Sequence, residues 1–151
     1  MGGIIKKKAL ISFLLIVSLF VGVPAWAQDG DELDSALGFL SGDYILIGRK
    51  IDSDETYTGR ISFVYNETSR CLDLKRTIGG QTVTGTARIV PVLEGDAQVL
   101  RLSFLEKGVE YEGTFLWRGD LDNFGRLSGF IYAKGTFPDK PGLEAYFIDQ
   151  R

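Results

Sequence analysis

The chain has 151 residues, with 17 lysines and arginines against 20 acidic residues, a formal net charge of −3. That length makes about one domain, and an acidic surface repels phosphate backbones, so no nucleic acid partner is expected. Histidine is absent and cysteine occurs once, which excludes Ser-His nucleophiles, histidine-ligated metals, imidazole acid–base chemistry and an internal disulfide.

The N-terminus reads as an export leader. Lys6, Lys7 and Lys8 precede an apolar run from Ala9 to Val23, and Pro24 introduces Ala25-Trp26-Ala27. Small residues at Ala25 and Ala27 fit a signal peptidase site with the cut before Gln28. The run is short for a membrane span, which needs about twenty apolar residues. The residue after the cut is glutamine, so no lipid-bearing cysteine follows. Residues 1–27 are thus expected to be a signal peptide, and the remaining chain periplasmic or secreted, with no stable membrane insertion of its own. Residues 28–42 form the next segment, in which Leu33, Leu37 and Leu40 share one side of one or two helical turns.

From there to the end, residues 43–151, the pattern is β. Strands are predicted near 43–50, 56–66, 70–78, 81–90, 97–105, 109–118, 126–135 and 143–148. Turn chemistry separates them: Gly79-Gly80 suits a two-residue hairpin, and Glu106-Lys107-Gly108 a three-residue loop with a glycine bulge. Eight short strands with tight links predict an all-β fold, an eight-stranded antiparallel up-and-down barrel behind a short helical turn.

Alternation says which side is inside. Tyr57, Gly59, Ile61, Phe63 and Tyr65 share one face of the second strand; Leu72, Leu74 and Ile78 share one face of the third. Tyr111, Gly113, Phe115 and Trp117 do so in the sixth. The opposite faces carry threonine and charge, so the apolar set is expected to point inward, away from water. A membrane barrel would reverse this, since charge on its lipid face costs about 2–4 kcal/mol per residue at the midplane. Gly59, Gly85, Gly113 and Gly129 also fall on the inner parity. They allow either tight coiling of the strands or a hollow for a ligand.

Taken together, "LSGDYILIGRK", "TYTGRISFVY", "RTIGGQTVTGTARI", "YEGTFLW", "LSGFIYAKGTF" and "GLEAYF" resemble the small bacterial lipocalin-like and avidin-like secreted barrels of the calycin type. Gly42-Asp43-Tyr44 stands where lipocalins carry Gly-x-Trp, with tyrosine replacing the tryptophan. The resemblance implies an eight-stranded barrel, often with a cavity for a small apolar molecule. It covers most of the chain after the leader, through a rhythm of glycine and aromatic residues.

Chemistry-bearing candidates are few. Asp120, Asp122 and Gly125 have part of a calcium-loop spacing, but Phe124 and Ile131 stand where oxygen ligands belong. Glu110 and Glu112 share a strand face, but the solvated one, where nothing raises a carboxyl pKa for acid–base work. Arg76 has the parity of Leu72 and Leu74. Either it is a ligand-facing cation that needs a partner inside, or it snorkels from the rim, or a β-bulge reverses the strand before it. Cys71 is read as a small strand residue or as a thiol for intermolecular bridging. The candidate ligand-binding residues are Tyr57, Phe63, Arg76, Tyr111 and Phe115. No enzyme activity, resident metal or cofactor is expected. The partner is a small apolar ligand or, if the barrel is filled, an envelope protein met through surface or loops such as 51–57 and 137–142.

Overall fold

The computed structural model describes residues 25–118 and 126–150. The part of the expected leader upstream of Ala25 and the Asp120–Gly125 spacing lie outside the described residues. The described chain is a helix α1 (Ala25–Leu40) followed by eight strands. These are β1 (Gly42–Arg49), β2 (Thr56–Asn66), β3 (Cys71–Ile78), β4 (Gln81–Val92), β5 (Ala97–Glu106), β6 (Val109–Leu116), β7 (Leu127–Ala133) and β8 (Gly142–Ile148). Each strand pairs antiparallel with its sequence neighbour, and β8 returns to β1, which closes the barrel. Closure leaves no strand edge open for pairing with another chain.

The hairpins explain the tight order. Gly79 and Gly80 have φ of 55° and 79°, the left-handed pair that a type I′ turn demands. Lys107 and Gly108 have φ of 51° and 80°, and Glu106 pairs directly with Val109. This connection is therefore a two-residue turn, not the expected three-residue loop. Lysine accepts the strained position because the paired strands fix the reversal.

Inner parity holds through β2, β3 and β6. Ile61, Phe63, Leu72, Leu74 and Phe115 are buried, while Arg60, Asp73 and Lys75 face out. The inward glycines serve coiling. A Cβ on Gly59, Gly85 or Gly129 would run into a carbonyl oxygen of the adjacent strand, those of Thr77, Ser103 and Thr114 respectively. Backbones approach that closely where a small barrel bends.

Two findings depart from the sequence reading. The helix spans 16 residues, more than four turns, where one or two were expected. Its Leu37 and Leu40 are fully buried among barrel residues, with Leu33 packed beside them, so tertiary packing stabilises a helix that propensity alone leaves marginal. Cleavage before Gln28 would remove only its first turn. The outer face is also less polar than the alternation of β2 and β3 implied. On β6, β7, β8 and β1 it exposes Leu116, Phe130, Leu143, Phe147, Ile45 and Ile47.

The helix plugs one end of the barrel. The Tyr44 hydroxyl donates to the Leu40 carbonyl at 2.9 Å, and the Tyr65 hydroxyl to Asp34 Oδ1 at 2.7 Å. Arg70, on the β2–β3 turn, donates to Asp34 and to the Gly30 carbonyl. Above the plug lies a solid aromatic layer. Tyr44 meets Phe63 edge-on at 5.6 Å, and Phe115 stacks on Tyr146 at 4.7 Å between ring centres. Among the described residues, no helix is long and apolar enough to cross a membrane.

Candidate functional site

The other end of the barrel is not filled. A cavity of about 340 Å³ lies there, lined by Arg49, Lys50, Ile51, Tyr57, Arg76, Ile78, Phe104, Glu106, Tyr111, Ile131 and Gly142. Its walls are the ends of strands that meet in the β1–β2, β3–β4, β5–β6 and β7–β8 hairpins, opposite the helix.

Arg76 forms its floor. The register of β3 runs unbroken, with Arg76 opposite Ile61 on one side and Val83 on the other. There is no bulge, and the side chain points inward, 7% exposed. Its Nη2 donates to Glu144 Oε1 at 2.5 Å and to the Tyr57 hydroxyl at 3.4 Å, and its Nη1 to Glu106 Oε2 at 3.3 Å. The guanidinium carbon also stands over the Phe104 ring, 4.9 Å from its centre. Such a stack adds about 0.5–2 kcal/mol as the cation loses water.

Glu144 is the counter-charge, and its side chain is fully buried. Oε1 accepts from Arg76 and from the Tyr57 hydroxyl at 2.5 Å, and Oε2 accepts from the Tyr146 hydroxyl at 2.5 Å. A buried carboxylate is tolerated when paired and hydrogen-bonded in this way. Burial opposes the charge on Arg76, but Glu144 outweighs it and holds the guanidinium pKa above its ordinary value. Burial first, then the Glu144 charge, pushes the Tyr57 and Tyr146 hydroxyls up, so both stay protonated as donors.

A glycine places the Tyr57 ring. Gly48 is its cross-strand partner, and a Cβ there would overlap the phenol ring and hydroxyl of Tyr57. The bare backbone lets the ring lie over β1 and reach Glu144. Above the floor, Phe104 and Tyr111 stack with centres 5.5 Å apart and planes at 15°. The loops at the mouth clasp each other: the Asp52 N–H donates to the Lys140 carbonyl at 2.8 Å, and the Lys140 N–H to Asp52 Oδ1 at 3.1 Å.

Of the five expected ligand residues, Tyr57, Arg76 and Tyr111 meet at this cavity. Phe63 and Phe115 do not; both are buried in the solid layer beside Tyr146. Phe104, Glu106, Glu144 and Gly48 were missed. The clue to Glu144 was present, because an inward Arg76 needs a carboxylate, and Glu144 alternates with Gly142 and Tyr146 in an otherwise apolar strand. Leu143 and Phe147, which point outward on β8, concealed that parity. Glu110 and Glu112 do lie outside, where Glu110 pairs with Lys134 at 2.7 Å. Cys71 is buried with Sγ 3.0 Å from Ser69 Oγ, a poor position for bridging to a second chain. The chain matches no known family model, no curated protein and no solved structure closely enough to place it.

Proposed function

We propose that this chain is an exported, lipocalin-like binding protein that holds a small, largely apolar ligand in the open end of its barrel. The observation that carries this reading is the cavity itself. Its volume, about 340 Å³, lies at the lower end of the range for small-molecule sites, and Ile51, Ile78, Phe104, Tyr111 and Ile131 give it an apolar side between its charged residues. The inward glycines Gly59, Gly85, Gly113 and Gly129 do not line it. Both Glu144 oxygens are taken by donors and both tyrosines are held neutral, which favours holding a ligand over acid–base turnover.

Native mass spectrometry of the purified protein after exposure to envelope lipid and metabolite extracts tests the reading. A one-to-one adduct is expected, and Ile78→Trp, which fills the cavity, abolishes it. Reproducibly bare protein overturns it.

A second reading has its own observation. The outer groove lined by Ile47, Leu116, Phe130, Leu143 and Ala145 favours an inhibitor or envelope-associated protein acting through its surface. Under that reading Phe130→Lys abolishes capture of an envelope protein while leaving the cavity adduct intact.

A further inference from the structure

We infer that the protein pairs with a second copy of itself through the outer face that β6, β7, β8 and β1 share. Such pairing is independent of the cavity, and it fills the groove of the surface reading with a partner of identical sequence. Register assembles this face. Across the four strands Leu116, Ser128, Ala145 and Ile47 stand in one row, with Phe130 beside Leu143 on one side of it and Phe147 beside Ile45 on the other. None of these positions carries a charge, whereas the outward positions of β2 to β5 include Arg60, Asp73, Lys75, Arg88 and Arg101. Charge-depleted apolar cores mark the interfaces between copies of one chain, while a face met only transiently is about as apolar as the rest of a protein surface.

The area suits a dimer. The six large apolar side chains of these rows are 36–65% exposed, and Phe137 on the β7–β8 loop is fully exposed. Phe137 continues the face, because it lines one hollow together with Phe130. At roughly 200 Å² for a whole large side chain, these residues offer about 700–800 Å² per copy, close to the roughly 800 Å² that each partner gives a stable interface. The shape suits one too. Ser128 and Ala145 leave a groove of about 630 Å³ between Ile47, Leu116, Phe130 and Leu143. Projection and recess thus lie on one surface, as a self-complementary two-fold contact requires of each copy. The closed barrel has no free strand edge, so copies meet through side chains and not by extending a sheet.

Sedimentation velocity of the purified protein at roughly 100 μM tests the pairing, since interfaces of this size hold at micromolar concentration or below. A mass of two chains is expected. Phe130→Lys and Ala145→Lys, the second of which fills the groove, should each give a mass of one chain with unchanged far-UV circular dichroism; should one fail to fold, the other decides. Val64→Lys and Leu105→Lys replace exposed apolar residues on β2 and β5, away from the face, and should stay paired. A single-chain mass for the parent protein overturns the inference, and capture of an envelope protein through Phe130 would then assign the face to the surface reading. A two-chain mass that persists in both groove variants overturns it as well. Neither result touches the cavity, whose adduct is measured separately.

Discussion

Replacing Glu144 by glutamine removes one charge and almost no volume. In the folded protein the carboxylate accepts from Arg76, Tyr57 and Tyr146, each at 2.5 Å. Glutamine offers one acceptor oxygen, and its amide group would face a second donor. Arg76, 7% exposed, keeps only Glu106 as a counter-charge. Removing one partner of a buried pair costs about 3–5 kcal/mol, a large share of the roughly 5–15 kcal/mol that stabilises a domain. With a urea m-value of about 2 kcal/mol/M, the unfolding midpoint should fall by about 2 M. Far-UV circular dichroism across a urea series reads this directly. Arg76→Met should restore much of the loss in the Glu144→Gln background, giving a coupling energy above about 2 kcal/mol in the double-mutant cycle. A midpoint shift worth less than about 1 kcal/mol, or strictly additive single effects, would refute the claim that each residue is there to neutralise the other.

Further predictions concern the tyrosines, a glycine and the helix plug. Of six tyrosines, Tyr44, Tyr57 and Tyr146 have hydroxyls raised chiefly by burial. Their contribution to stability is complete below the unfolded value near 10 and is lost as pH rises toward the folded values. Absorbance at 295 nm should therefore show these three ionising only as the protein unfolds in alkali. Gly48→Ala drives a Cβ into the Tyr57 ring and should destabilise by about 1–3 kcal/mol; in a Tyr57→Val background the same change should cost much less in urea. Asp34 is held below its ordinary 3.8 by the Tyr65 hydrogen bond and then by Arg70, against some desolvation. Its contribution is present above 3.8 and is lost as pH falls through the lowered folded value. Asp34→Asn should thus loosen α1 at pH 7, seen as faster amide exchange in the helix, with the difference from the parent chain shrinking as pH falls below 3.8 and through the lowered folded value.

The parts of the fold that could be read from sequence are those where water touches one side of a strand. In β2 and β3, Thr58, Arg60, Asp73 and Lys75 alternate with Ile61, Phe63, Leu72 and Leu74, so period and direction agree. In β8 both faces carry apolar residues, and a two-residue period names two faces without saying which is inside. Glu144 was hidden there, while Arg76, on a strand with a clear wet side, was not. The helix length was underestimated for a related reason: only the barrel end gives Leu37 and Leu40 something to bury against. Phe63 and Phe115 were misplaced because parity fixes a residue's side of the wall but not its height along the barrel. That height depends on register across all eight strands.

The salt link on the cavity floor also joins distant parts of the sequence. Arg76 and Glu144 are separated by 68 positions, and Glu144 belongs to the strand that seals the barrel against β1. Any collapse before that strand docks would strip water from the guanidinium without its deep anion in place. Seam closure and neutralisation are therefore one event: a nascent barrel stopped at β7 would be both open-sided and electrostatically incomplete, and would gain little by collapsing early.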